Sequence, residues 1–153
     1  MSVEEVKIYL ARWGRQNDVI ESAHSTATVA EAAAALGVEE ARIAKSISLR
    51  NKDEAFVVVC AGTAKIDNRK YKETFGIKPK MLRPEEAFEK TGHMVGGICP
   101  FALLPGVKVY LDESLRRFST VFPACGSANS AIELNCDELY EYSACEKWVD
   151  VCA

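Results

Sequence analysis

The sequence predicts an α+β fold: a single domain with a mixed, largely antiparallel sheet and helices around it. Two observations carry this expectation. The apolar spacing switches along the chain between a three-to-four-residue period and a two-residue period, so helices and strands both occur. The two kinds of element follow one another without the regular βαβ rhythm of a doubly wound sheet, which leaves α+β. With 153 residues the chain has the length of one domain around one core, and that domain is expected to span residues 1–153.

Val3, Val6, Leu10 and Trp13 form the apolar stripe of an opening helix. The run TVAEAAAALG has Thr28 and Glu31 at the spacing of a capping box and stops at Gly37, so it predicts a second helix. From Ile43 the period becomes two. Ile43, Lys45, Ile47 and Leu49 share one face of a strand, and Ala44, Ser46, Ser48 and Arg50 share the other. The turn NKDE and the apolar run AFVVVCAG complete a hairpin whose second strand is buried on both faces. Asp67 caps a helix reaching about Phe75, and Pro84 stands in the first turn of another that ends at Gly92. VKVYLD reads as a strand and ESLRRF as a short helix. STVFPAC and SAIEL read as strands joined by a small polar turn, and DELYEY as a last helix.

Composition excludes several classes. At 48% hydrophobic and 27% charged the chain is of ordinary globular type, and no apolar run approaches the roughly 18 residues of a membrane span. The start MSVEEVKIYLARW is acidic and amphipathic and lacks the basic start and apolar run of a secretion signal; the expected compartment is the cytoplasm. Six cysteines form no CxxC pair and only two histidines are present, so free thiols, no metal and no cofactor are expected. The net charge of −3 argues against indiscriminate coating of nucleic acid. Residues 65–83, however, carry seven basic and two acidic side chains, a local +5 that leaves −8 for the rest. Such a run is either a solvated face or a dock for a phosphate backbone, with Lys65, Arg69, Lys70, Lys72, Lys78 and Lys80 as the contacts.

Four features stand out as sites. Lys45 lies on the apolar face of its strand, where lysine is rare without a partner. It either snorkels to solvent or holds a cation at the edge of a pocket. GGICP, residues 96–100, sets Gly96, Gly97, Ile98 and Cys99 before Pro100. Glycine uncovers peptide groups and proline restrains them, as in a turn or in a loop that presents backbone to a ligand. Ser127, Asn129 and Ser130 form a polar turn that could also donate to a substrate if it lies beside that loop. Cys99 has the type of a nucleophile but needs a cationic or basic neighbour, for which His93 is the nearest in sequence.

TVAEAAAALGVEEARIAKSISLR, GGICPFALLPGVKVYLDESL and ACGSANSAIEL, taken in order, resemble the YbaK/prolyl-tRNA-synthetase-associated editing-domain family over about residues 24–142. The resemblance implies an α+β domain with a curved mixed sheet. It also implies a trans-editing deacylase that hydrolyses the ester of a small mischarged amino acid (alanine, cysteine, serine or threonine) on tRNA, the proline tRNA included. Lys45 matches the family's central strand lysine. Residues 96–100 match its amino-acid pocket, with Cys99 where serine is common, and Gly126, Ser127 and Asn129 match its late turn. The implied partners are aminoacylated tRNA and an aminoacyl-tRNA synthetase. A module that binds aminoacyl-tRNA or a small ligand without turnover is the alternative, and a cysteine hydrolase acting through Cys99 is a third reading.

Overall fold

The computed structural model describes residues 2–153, and its helices begin and end where the sequence supplies caps. Helix α1 (Val3–Leu10) starts on Ser2, whose hydroxyl accepts from Glu5 N–H at 3.4 Å, and buries Val6 and Leu10. Helix α2 (Val29–Leu36) starts on Thr28, which accepts from Glu31 N–H at 3.1 Å, and stops at Gly37 in the left-handed conformation. In α3 (Asn68–Phe75), Asp67 accepts from Lys70 N–H at 3.0 Å. Helix α4 (Pro84–Thr91) has proline in its first turn and ends at Gly92. Helix α5 (Cys136–Tyr142) begins one residue earlier than the apolar pattern indicated, because Asn135 and Glu138 form a reciprocal capping box.

Among the described residues, seven strands form two sheets. The short β1 (Ile20–Glu21) pairs antiparallel with β6 (Ser130–Ala131). In the main sheet the hairpin of β2 (Ile43–Asn51) and β3 (Glu54–Ala61) is antiparallel, with Lys45 opposite Cys60 and Leu49 opposite Phe56. Strand β4 (Lys108–Asp112) runs parallel to β3, β7 (Lys147–Val149) parallel to β4, and β5 (Phe122–Pro123) parallel to β2. The order is β5-β2-β3-β4-β7. The sheet is mixed, as expected. Antiparallel pairing is confined to the hairpin, the two-stranded sheet and isolated bridges, while the other three pairings are parallel. The strands expected over residues 119–125 and 130–134 shrink to two residues each. Pro123 has no N–H for a ladder, and the flanks hold together through single bridges, Val121 with Leu134 and Ala124 with Ala131. Strands β1 and β7 were not read from the sequence, being too short to show a period.

Both faces of the main sheet are covered. On one face Ala44, Val57, Val59, Val109 and Leu111 pack against Val6 and Leu10 of α1 and Leu139 and Tyr142 of α5. On the other, Leu49, Phe56, Val58, Cys60 and Tyr110 pack against Tyr71 and Phe75 of α3. At the β5 end, Ala32 and Ala33 of α2 lie on Ile43 and Phe122. Every residue of β3 from Ala55 to Ala61 is buried, which accounts for its unbroken apolar run. No helix among the described residues is long and apolar enough to cross a membrane.

The chain end is tied into this core by one carboxylate. Asp112, 1% exposed, accepts from Val151 N–H at 2.8 Å and from Ser114 N–H at 2.9 Å. Residues 151–153 then lie along residues 65–67, with Asp67 N–H donating to Val151 C=O and Ala153 N–H to Lys65 C=O. Removing the carboxylate strands two donors at once. Asp112→Ala is expected to lower unfolding free energy by roughly 2–4 kcal/mol, read from denaturant midpoints. Asp112→Asn, which retains one acceptor, is expected to lose less.

Candidate functional site

The first ladder of β2 sets the position of Lys45. Its side chain leaves the sheet on the face of Ile47 and Leu49, as the two-residue period requires. The residue is half-buried and its ammonium donates to the carbonyl of Ala64. That carbonyl belongs to the segment after β3, where Ala64 N–H bonds back to Ala61 C=O and the chain end runs alongside. The lysine is therefore neither buried alone nor free in solvent.

A cavity of about 270 Å³ opens beside it. Its walls are β2 from Ile43 to Ser48, the start of α2 with the residues before it (Thr26 to Val29), Met81 and Leu82, Gly96 and Ile98, and the β5–β6 region with Phe122, Ala124 and Ser130. Among the described residues, Lys45 is the one ionisable side chain in this lining, and no carboxylate or imidazole is part of it. The hydroxyls of Thr26 and Ser46 are buried there without a hydrogen-bond partner among the described residues, which leaves hydrogen-bonding capacity for a ligand. Neither residue was singled out by sequence reasoning, because a threonine before a helix cap and a serine on a strand are ordinary.

The glycine-proline loop divides in two. Gly96 and Ile98 line the cavity, whereas Gly97, Cys99 and Pro100 are buried behind it. Gly96 has φ of +94° and lies against Ala27 and Ala128. A Cβ on Gly97 would come within 3.0 Å of the Gly126 and Ser127 backbone, so the loop and the polar turn do lie side by side. The turn itself is occupied internally. Ser127 Oγ lies 2.6 Å from Ser130 Oγ and 2.9 Å from Asn129 Oδ1, and Asn129 Nδ2 donates to Ser22 C=O at 3.1 Å. Gly126, Ser127 and Asn129 brace the wall, and Ser130 is the member of the turn that reaches it.

Cys99 faces the core. Its Sγ lies 3.5 Å from His93 Nε2 and 3.6 Å from the Phe101 carbonyl, and both side chains are fully buried. Burial pushes the thiol up to about 12 and pulls His93 below its ordinary value. A neutral imidazole and a protonated thiol are the reverse of what a thiolate nucleophile needs, so the pairing is structural. Iodoacetamide at pH 8 is expected to leave Cys99 unmodified in the folded protein and to modify it after denaturation, as read by peptide mass mapping. His93 adds an acid sensitivity. The folded chain favours the neutral ring, so the unfolded chain takes up the proton first, near its ordinary 6.5. Stability from this group is full above that pH and falls as the pH drops through it toward the lowered folded value. His93→Gln is expected to flatten that part of the pH profile of the denaturation midpoint.

The basic run forms a surface of its own. Lys65, Arg69, Lys72, Lys78 and Lys80 are exposed, and Arg69, Lys72 and Lys78 rim a shallow depression with Asn68 and Glu73. Lys70 is drawn inward to Asp150 and the Cys152 carbonyl, and Arg69 pairs with Glu73 at 3.1 Å. Residues 80–82 connect this surface to the cavity, since Met81 and Leu82 line it.

Comparison with known proteins adds four findings. A family model described as the aminoacyl-tRNA editing domain matches residues 23–142. The chain is 54% identical to the uncharacterized protein YwhH of Bacillus subtilis (strain 168), over 99% of this chain and 98% of that protein. Among solved structures, a candidate trans-editing enzyme for prolyl tRNA synthetase superposes with a TM-score of 0.88 at 28% identity, over 99% of this chain and 96% of the other. The hypothetical protein APE2540 superposes at 0.82 and 29% identity, over 95% and 99%.

Proposed function

The chain belongs to the aminoacyl-tRNA editing domain family, and on that premise we propose that it is a freestanding trans-editing deacylase, a single domain over residues 1–153. It hydrolyses the ester between a small mischarged amino acid and the terminal ribose of a tRNA. The observation that carries the reading is the cavity beside Lys45, apolar for most of its wall and about 270 Å³ in volume. That is below the roughly 300–1,000 Å³ of sites for drug-sized ligands, so the aminoacyl end enters and the nucleic acid stays outside.

Lys45, its ammonium oriented by the Ala64 carbonyl, holds ribose or phosphate oxygens of the terminal nucleotide as a cation. Gly96 and Ile98 form the sieve. They stand opposite β2 and limit the side chain to alanine, cysteine, serine or threonine. Gly97, Cys99 and Pro100 hold that wall from behind. In the reaction a water oxygen bonds to the ester carbonyl carbon, the carbon–oxygen bond to the ribose breaks, and the ribose oxygen takes a proton. Free amino acid and deacylated tRNA result. The lining has no side-chain base, so the water is activated by the substrate's own ribose hydroxyl. The exposed cations Lys65, Arg69, Lys72, Lys78 and Lys80, with Lys70 behind them, receive the tRNA backbone. The proline tRNA is one candidate substrate and its synthetase a candidate partner, on the printed role of the structural relative.

The absence of a base from the lining also favours a second reading, a module that binds aminoacyl-tRNA without turnover. One experiment separates them: a panel of tRNAs mischarged with alanine, cysteine, serine or threonine, incubated with wild type and Lys45→Ala. Hydrolysis of at least one ester by wild type, reduced by about a hundredfold or more in Lys45→Ala with an unchanged melting temperature, is the expected result. Salt-sensitive tRNA binding with no hydrolysis of any ester would establish the binding module instead.

A further inference from the structure

Strand β2 lacks a hydrogen-bonding neighbour at one residue on its outer edge, and that residue opens on the cavity. Peptide groups alternate along a strand, so those of Ala44, Ser46, Ser48 and Arg50 face away from β3. Ala44 is paired with β5, in the register Ile43 with Phe122 and Ala44 with Pro123. Ser48 C=O accepts from Leu82 N–H at 3.1 Å and Arg50 N–H donates to Lys80 C=O at 2.8 Å. Ser46 lies between the two partners. The parallel register with β5 ends at Ala44, and no backbone or side-chain hydrogen bond reaches the outward N–H or C=O of Ser46 from the described residues.

The gap has causes in the sequence on both sides. Continuing the antiparallel run of residues 80–82 would place residue 84 opposite Ser46, and residue 84 is Pro84, which has no N–H and opens α4. On the other side the chain leaves the sheet after Pro123, and Ala124 bridges to Ala131 rather than to Lys45. Ser48 lies four positions beyond Ala44, an opening of about 13 Å at the rise of an extended chain. Ser46 and both flanking residues line the cavity.

An unpaired N–H and C=O side by side on a strand edge are a template for one more extended residue. An α-aminoacyl ester carries the complementary pair, an ammonium that donates and a carbonyl that accepts. We propose that the outward peptide groups of Ser46 are the recognition element for the aminoacyl group, which binds as the missing hydrogen-bonded partner of β2. The ammonium donates to Ser46 C=O, and the ester carbonyl accepts from Ser46 N–H. This selects an α-amino acid by its backbone and leaves the side chain to the sieve. The same N–H faces the oxygen on which charge develops as water adds. The inference rests on the deacylase reading and assigns its substrate contacts.

The test uses the full chain and four amide-linked, non-hydrolysable probes, the alanyl, cysteinyl, seryl and threonyl forms of 3′-amino-3′-deoxyadenosine, together with a propionyl form lacking the α-amino group. In hydrogen exchange followed by NMR, the Ser46 amide is expected to exchange freely in the unliganded protein. A saturating aminoacyl probe should slow it by about tenfold or more, and the propionyl form should bind at least about tenfold more weakly. A second measurement compares Ser46→Pro with Ser46→Ala. The first removes the N–H at a position where no ladder bond is lost, the second keeps the peptide group. Ser46→Pro is expected to fall about tenfold or more below Ser46→Ala in kcat/KM. A probe that binds without slowing the Ser46 amide, or a Ser46 amide already protected in the free protein, overturns this inference and leaves the deacylase standing. Failure of the wild type to bind any probe or to hydrolyse any ester overturns both.

Discussion

Strand β2 has to satisfy two demands that conflict in most sheets: it is an interior strand, and it must leave a free edge at the site. Its inner edge meets both the first and the second halves of β3 in one unbroken ladder from Ala44 to Asn51. Its outer edge is divided between two short partners, β5 at Ile43 and Ala44 and residues 80–82 at Ser48 and Arg50. The continuous ladder fixes where every side chain of β2 points, and the divided edge fixes where the cavity is. Pairing stops short of the opening on both sides, at Pro123 of β5 and where the chain turns into α4 at Pro84.

The lysine depends on a different part of the chain. Lys45 is oriented by the Ala64 carbonyl, and Ala64 sits in a segment that residues 151–153 hold from outside through Asp67 and Lys65. The chain end is in turn fixed by Asp112 at the end of β4. A residue at the C-terminal end of one strand thus sets the position of a carbonyl beside another strand two places away. Contact between the thiols of Cys60, opposite Lys45, and Cys152 adds packing along the same line. Asp112, residues 151–153 and the Ala64 segment thus form a hydrogen-bonded chain that ends at Lys45.

Much of this was legible in the residues. Caps at Thr28 and Asp67, the stop at Gly37 and the proline at 84 are local signals, set by the chain within a few positions, and the helices follow them. The side on which Lys45 lies is fixed by period two alone. What the sequence hides is long-range. Strand direction beyond the hairpin is not legible there, because a parallel partner such as β7 leaves no turn to mark it. The division of residues 96–100 into lining Gly96 and Ile98 and buried Gly97, Cys99 and Pro100 depends on the turn at Gly126 and Ser127 pressing on the loop. Gly62 is a similar case. A Cβ there would meet the Glu40 carbonyl at 2.1 Å, a close approach with no local signature. Ser46 escaped notice because its function, as inferred, lies in the peptide group, which every residue has.

A site of this kind divides recognition between two sources of unequal power. Apolar walls at Ile98, Val95 and Phe122 can exclude a large side chain by overlap, but one methylene more or less changes binding by only about 1–3 kcal/mol. Main-chain pairing at β2 is blind to the side chain altogether. The cavity alone therefore separates small amino acids from large ones and does little to separate correctly charged small amino acids from misplaced ones. On the deacylase reading, that second distinction must come from the tRNA, which identifies the amino acid that ought to be attached. The exposed cations between residues 65 and 80 provide attraction of the right sign, yet phosphate contacts carry no sequence information by themselves. Discrimination between tRNAs then requires contacts to base edges near the acceptor end. Residues 80–82 are the segment suited to make them, because they join the basic surface to the mouth of the cavity and expose Met81 at their centre.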